Sequence, residues 1–100
     1  MILRYTPQAR LDLHRIEDYI RNELSNPIAA ENVTRRILLG CSNLKSNPRL
    51  GLDLSSKIQR KTDLKYLVLS KYIVVYRIEK DLIEVIRIFD GRTEYLSYLF

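Results

Sequence analysis

The feature that most constrains the fold is a set of three β-patterned runs in the second half of the chain, at 64–69, 72–78 and 82–89. They are rich in Val, Ile, Leu and Tyr, residue types that favour strands. Only two or three residues separate each run from the next, around Ser70-Lys71 and Lys80-Asp81, and gaps that short join antiparallel neighbours. The runs therefore predict a three-stranded antiparallel meander.

Two amphipathic helices are predicted before the meander, and each begins at a capping residue followed by proline, Thr6-Pro7 and Asn26-Pro27. Apolar residues then recur at spacings of three and four, which places them on one face of each helix. These residues are Ala9, Leu13, Ile16, Ile20 and Leu24 in the first helix, and Ala30, Val33, Ile37, Cys41 and Leu44 in the second. The short link between the stripes predicts a helical hairpin.

One hundred residues predict a single domain, 1–100, of the α+β class. Its predicted order is an N-terminal strand at residues 2–5, the helical hairpin, the antiparallel meander and a short C-terminal helical segment. The first strand is expected at an edge of the sheet or next to its centre, in either direction. Residues 46–62 carry Pro48, Gly51 and paired serines, and we interpret them as a connecting loop.

The composition limits the kinds of site that the chain can carry. Seventeen Lys and Arg against twelve Asp and Glu give a net charge of +5, which favours anionic partners, although a basic soluble protein without such partners is the alternative. One histidine and one cysteine do not make a metal cluster, so we expect no metal and no cofactor. No apolar run is long enough to cross a bilayer, and we expect a cytoplasmic protein with no membrane partner.

Alternation along the predicted strands places apolar residues on both faces of the sheet. A two-residue turn at Lys80-Asp81 would set Arg77 opposite Glu84 and Val75 opposite Ile86. Since the hairpin covers one face only, the other face would expose a contiguous apolar patch that suits a partner protein. The residues of this expected patch are Ile73, Val75, Ile86 and Ile88. The alternative is that the C-terminal segment folds back over them.

The order of elements and four sequence segments together resemble the RelE/ParE superfamily of bacterial type II toxins. The resemblance covers nearly the whole chain. Its segments are PQARLDL at 7–13 with Ile16 and Tyr19-Ile20, Asn47-Pro48 with Gly51, YIVVYRI at 72–78, and IEVIRIFDGR at 83–92.

This resemblance implies a cytoplasmic growth inhibitor held inactive in a hetero-oligomeric complex with a cognate antitoxin. Antitoxins of this superfamily are typically acidic, which agrees with the charge of +5 and would speed association. The antitoxin would bind either as a strand added at a sheet edge or as an amphipathic helix in a groove.

Two activities occur among the proteins that the chain resembles. RelE-like members cut messenger RNA on the ribosome with a cluster of cations and a C-terminal tyrosine, and ParE-like members inhibit DNA gyrase. Arg92 and Tyr98 match the nuclease arginine and tyrosine, and Lys65 is a looser match to one basic residue. Other positions depart from the nuclease pattern: Leu67 and Ile73 replace cations, and Asp90 stands where many relatives have histidine.

Because half of the cations are missing and the first helix is more similar to the ParE group, we favour gyrase inhibition, with a ribosome-dependent endonuclease as the alternative. A non-toxic interaction module is the third hypothesis. Further candidates for contact with a target or an antitoxin are Arg60, Lys61, Arg77 and Arg92. Arg87 is expected to be structural and to pair with Asp12 or Asp18.

Overall fold

The computed structural model describes residues 1–92, 94 and 96–99, except for the side chain of Tyr98. The strands are β1 (Ile2–Tyr5), β2 (Leu52–Asp53), β3 (Lys65–Leu69), β4 (Tyr72–Glu79) and β5 (Leu82–Asp90). The helices are α1 (Pro7–Asp18), α2 (Pro27–Ser42), α3 (Ser55–Ile58) and α4 (Leu96–Leu99). None of the helices in these described residues has the length and apolar character that a bilayer-spanning helix needs.

Both predicted helix starts are confirmed. The Thr6 hydroxyl accepts a hydrogen bond from the Ala9 N–H, and the Asn26 side chain accepts one from the Ala29 N–H, each at 3.1 Å. The first helix does not remain α-helical to its predicted end, because residues Tyr19–Glu23 form a π-helical turn. Leu24, the last residue of the predicted apolar stripe, is exposed.

The sheet has five strands in the order β1-β5-β4-β3-β2. The predicted antiparallel meander is confirmed as β3, β4 and β5, and β1 pairs with β5 in parallel at one edge. Its two tight turns have positive φ at Ser70 and Lys80. The interpretation of 46–62 as a loop is wrong in part, because β2 and α3 lie within it and β2 extends the sheet at the other edge.

A β-bulge between Val75 and Tyr76 changes the predicted register. Arg77 lies opposite Glu84 as predicted, but Val75 lies opposite Arg87, so its predicted pairing with Ile86 is wrong. One extra residue in β5 reverses the alternation beyond the bulge.

The two faces of the sheet carry separate apolar clusters. The helix-facing cluster lies between the sheet and the helical hairpin, and the outer-face cluster lies on the opposite side of the sheet, because neighbouring strand residues point to opposite faces. The buried members of the helix-facing cluster are Ala9, Ile37, Cys41, Leu44, Leu67, Tyr72, Val74, Tyr76, Ile83, Val85 and Ile88. Those of the outer-face cluster are Ile73, Val75 and Phe89.

The expectation of an uncovered apolar face is wrong. Ile73 and Val75 are 7% and 0% exposed, and Ile88 belongs to the helix-facing cluster, where it is 2% exposed, because the bulge turns it inward. Leu96 and Leu99 of α4 pack against the outer-face cluster, as the folded-back alternative predicts. Further partly buried residues packed against it are Leu64, Tyr66 and Ile86.

The start of α1 is fastened to β5 just where β1 ends. The Thr6 hydroxyl donates to the Ile86 carbonyl at 2.7 Å, and Asp12 accepts from the Ile88 N–H at 2.9 Å. The Asp12 carboxylate also accepts two bonds from Arg87, at 2.8 and 3.0 Å, which confirms the predicted structural pair. The Ile86 carbonyl and the Ile88 N–H belong to the part of β5 that continues past the end of β1. Side chains of Thr6 and Asp12 satisfy these two backbone groups.

Candidate functional site

The candidate site around Arg92 begins at Asp90, the last residue of β5. The Gly91 N–H donates to the Lys71 carbonyl at 2.6 Å, which ties the strand exit to the turn between β3 and β4. A Cβ at position 91 would lie 2.9 Å from that carbonyl oxygen, so glycine permits the close approach. Arg92 therefore leaves the sheet beside the β3–β4 turn.

Arg92 and Asp90 form a bidentate ion pair. Arg92 Nε and a terminal guanidinium nitrogen donate to the two Asp90 oxygens at 3.2 and 3.0 Å, and the Arg92 N–H donates to the same carboxylate at 2.9 Å. The Arg92 side chain remains 75% exposed. The geometry orients the guanidinium while leaving it accessible to solvent.

The ion pair also fixes the charge state of Asp90. Hydrogen bonding from the Arg92 side chain lowers the pKa of Asp90 below its ordinary value, and the charge of Lys71 lowers it further. Asp90 is consequently ionised at neutral pH and holds no proton to donate. An ionised carboxylate cannot serve as a general acid.

Beside this ion pair lies a cleft of about 280 Å³ that we call the Arg92 cleft. It is formed by the end of α1 with the π-helical turn, the β3–β4 turn and the end of β5. Its lining residues are Arg15, Ile16, Tyr19, Ile20, Lys71, Tyr72, Asp90 and Arg92. Three cations and one carboxylate thus surround an apolar floor.

Of the three residues matched to the nuclease pattern, Lys65 and Arg92 lie towards opposite ends of the meander. Lys65 begins β3, whereas Arg92 follows Asp90, which lies across from Tyr72 at the other end of the meander. The four residues from Lys65 to the end of β3 correspond to about 13 Å along the strand. Tyr98 lies on α4, and its side chain is outside the described residues.

The positions that lack cations contribute instead to packing. Leu67 is buried in the helix-facing cluster, and Ile73 is buried in the outer-face cluster. Neither position presents a charge to a phosphate group. Among the described residues, no group of three or more potential metal-ligating side chains is close enough to hold a metal ion.

The other basic candidates lie apart from the Arg92 cleft. Arg60 and Lys61 are exposed in the segment before β3. Arg77 belongs to a row across three strands, in which Arg77 and Arg4 both donate to Glu84, at 2.9 and 2.8 Å. These contacts join β1, β5 and β4. The hydrogen bond from Arg4, and to a smaller extent that from Arg77, lowers the pKa of Glu84 below its ordinary value.

Sequence reasoning missed the residues that accompany Arg92. Lys71 could have been identified, because the meander brings its turn next to the end of β5. Arg15 and Tyr19 could not, since their contribution depends on how far α1 extends across the sheet and on the π-helical turn. Tyr19 was part of the resemblance but had no assigned role.

Comparison with known proteins places the chain in a family. Residues 3–95 match the family model of the ParE toxin of the parDE type II toxin-antitoxin system. Among solved structures, the fold is similar to a chain of the chromosomal ParDE system from P. aeruginosa, with a TM-score of 0.76 and 23% identity over 90% of this chain and 95% of that chain.

A second similar fold is found in the RelBE2 toxin-antitoxin complex from Mycobacterium tuberculosis, with a TM-score of 0.61 and 21% identity over 89% of this chain and 88% of that chain. No curated protein sequence matches. These two structures support the α+β fold, and the family model spans nearly all of the sequence. The chain belongs to the ParE toxin family of type II toxin-antitoxin systems.

Proposed function

We propose that this chain is a growth-inhibiting toxin that acts on DNA gyrase without cleaving RNA, and that a cognate acidic antitoxin neutralises it in a hetero-oligomeric complex. Membership of the ParE toxin family supports the toxin role. A cytoplasmic location is part of the proposal, because both gyrase and the ribosome are found there.

The observation that favours gyrase over the ribosome as the target is the arrangement of the residues matched to the nuclease pattern. Arg92 is bound by Asp90, Lys65 lies at the far end of the meander, and the position of a further strand arginine is the buried Ile73. Cleavage of RNA needs several cations around one phosphate and a group that moves a proton. Lys65, Ile73 and Arg92, the described residues at positions matched to the nuclease pattern, do not bring these groups together, and the carboxylate of Asp90 lies beside Arg92.

The antitoxin part of the proposal is supported by an open strand edge beside a cleft. β2 pairs only with Lys65 and Tyr66, so within the described residues the remainder of β3 has no strand partner on that side. A cleft of about 240 Å³ lies at the end of this edge and is lined in part by Val33, Arg36 and Leu69. Strand addition along β3 would place a side chain of the antitoxin in this cleft.

The test is a supercoiling assay with purified gyrase, relaxed plasmid and the folded chain. Inhibition is expected to rise with toxin concentration and to disappear when the chain is first mixed with its co-expressed antitoxin. Full supercoiling in the presence of a micromolar excess of correctly folded toxin would contradict the proposal. Circular dichroism of the same sample supplies the control for folding.

A ribosome-dependent endonuclease is the second candidate, and the exposed guanidinium of Arg92 is the observation that favours it. It predicts cuts in phase with codons in translated messages, which primer extension after induction would map. Those cuts would be absent in Arg92→Ala. Intact messages in growth-arrested cells would exclude this activity.

A further inference from the structure

The Arg92 cleft has a positive rim that its own carboxylate does not neutralise. Of the described residues that line the cleft, Arg15, Lys71 and Arg92 are cations and Asp90 is the one carboxylate, which already accepts three hydrogen bonds from Arg92. An arginine side chain has five N–H donors, and the ion pair uses two of those in Arg92. Among the described residues, Arg15 makes no salt bridge.

The floor of the cleft is apolar. Ile20 is 6% exposed, Ile16 is half-buried, and the buried Tyr72 closes one side. Tyr19 stands at the rim with 54% of its surface exposed. Tyr19 also begins the π-helical turn, a feature found frequently at functional sites. The site thus combines a small apolar pocket with cations around its mouth.

Two of the three cations, Arg92 and Lys71, make contacts that orient them before any ligand binds. Asp90 orients the Arg92 guanidinium, and the Lys71 ammonium lies 5.6 Å from the centre of the Tyr72 ring. The Gly91–Lys71 hydrogen bond connects the two chain segments that carry them. Side chains oriented in advance lose less conformational entropy on binding.

We propose that the Arg92 cleft binds an acidic segment of the antitoxin, with an apolar side chain on the floor and a neighbouring carboxylate at the Arg15 and Arg92 rim. This inference rests on the proposed function and names a contact within it. The positive rim complements an acidic chain, and the net charge of +5 adds long-range attraction.

The apolar floor favours a polypeptide over a nucleic acid. A single nucleic acid strand binds along a basic groove with several aromatic platforms, whereas Tyr19 is the one exposed ring among the described residues that line this cleft. A larger cleft of about 410 Å³ on the helical hairpin is lined by Glu17 and Glu31 with Arg35, so its two carboxylates outnumber its one cation and suit an acidic ligand less well. The charge pattern therefore favours the Arg92 cleft over the hairpin cleft. The cleft beside β3, which shares Lys71 and Tyr72 with the Arg92 cleft, lies next to it and could hold the adjoining part of the same antitoxin segment.

The test measures the affinity of the co-expressed antitoxin for charge-reversed toxins by isothermal titration calorimetry. Arg15→Glu and Arg92→Glu are each expected to weaken binding at least tenfold, and the loss should shrink at high salt because screening reduces the repulsion. Lys45→Glu is the matched control, because it makes the same change of charge at an exposed position outside the cleft. It should change affinity less than threefold.

Tyr19→Ala tests the apolar contact without a change of charge. It should weaken binding about fivefold and leave the thermal midpoint near that of the wild type, since more than half of the ring is exposed. Wild-type affinity in this variant and in both charge reversals would overturn the inference and leave the proposed function standing. Failure of the wild-type toxin to bind the antitoxin would overturn both.

A fluorescent single-stranded oligothymidylate tests the nucleic acid alternative on the same proteins. No binding at physiological salt is the expected result. Binding by the wild type that Arg92→Glu removes would reassign the cleft to a nucleic acid strand and overturn the antitoxin contact.

Discussion

Two arginine–carboxylate pairs in this chain have nearly the same chemistry and different surroundings. In one, Arg87 donates two hydrogen bonds to Asp12, and in the other Arg92 donates two to Asp90. Each carboxylate also accepts a backbone N–H at 2.9 Å, from Ile88 and from Arg92 respectively. The hydrogen bonds alone do not distinguish the pairs.

The pairs differ in burial and in what they connect. Asp12 and Arg87 have side chains that are 7% and 20% exposed, and they join α1 to β5 across 75 residues of sequence. Asp90 and Arg92 are 26% and 75% exposed and lie two residues apart. The first pair holds the fold together, and the second orients a cation that remains available to a partner.

The difference follows from desolvation. A buried charge that loses its partner has no water to replace it, so breaking such a pair is costly. An exposed pair is screened by water, and its loss costs little. The same motif is therefore structural in one place and free to serve in binding in the other.

The largest effect is expected for Asp12→Ala, because it removes the carboxylate that accepts two hydrogen bonds from Arg87 and one from the Ile88 N–H. The free energy of unfolding should fall by about 3 kcal/mol, measured by urea denaturation. Asp18→Ala on the same helix is the control, since Asp18 is exposed, and it should change stability by no more than about 0.5 kcal/mol. Equal losses in both variants would contradict the structural role of Asp12.

An intermediate effect is expected for Glu84→Gln, which removes the central charge between Arg4 and Arg77. Glu84 is nearly buried while both arginines are partly exposed, so water can compensate in part. The expected loss is about 1 kcal/mol in urea denaturation, and the exposed Glu79→Gln on β4 serves as the control. A loss as large as that of Asp12→Ala would show that the solvent exposure of Arg4 and Arg77 does not reduce the loss of stability.

The contribution of Glu84 should depend on pH in one direction. Its pKa is lowered in the folded chain by hydrogen bonds from Arg4 and Arg77, so its contribution is fully present above the pKa of the unfolded chain, about 4.3. It is lost as the pH falls through the lower folded-state pKa. The stability difference between wild type and Glu84→Gln should therefore shrink below pH 4, and a difference that grows there would contradict the assignment.

The smallest effect on stability is expected for Asp90→Asn. The exposed pair is screened, so the urea midpoint should stay close to that of the wild type. In this variant the Arg92 guanidinium loses the charge that orients it, while the fold keeps its stability. The variant therefore separates the orientation of Arg92 from the stability of the chain. A shift comparable with that of Asp12→Ala would remove the distinction between the two pairs.

Local sequence patterns predicted most of the elements and one of the two arginine pairs. Thr6-Pro7 and Asn26-Pro27 fixed both helix starts because capping is a local interaction. The tight turn after β4 correctly placed Arg77 opposite Glu84. Arg87 was expected to form an ion pair with Asp12 or Asp18, and it pairs with Asp12.

Features set by long-range packing were missed. The bulge beside Val75 has no signature in the residues around it, and it turns Ile88 inward and so removes part of the expected exposed patch. β2 has two residues, too few for an alternating pattern. The Arg92 cleft brings together residues from Arg15 to Arg92, which only the packing of α1 against the sheet can do.

The most direct test compares the same substitution in both arginines, Arg87→Gln and Arg92→Gln, by urea denaturation and antitoxin titration of each sample. Arg87→Gln should unfold at a clearly lower urea concentration than the wild type. Arg92→Gln should unfold at the wild-type concentration and yet bind the antitoxin at least tenfold more weakly. Wild-type affinity in Arg92→Gln, or equal losses of stability in the two variants, would contradict the separation of a structural pair from a binding pair.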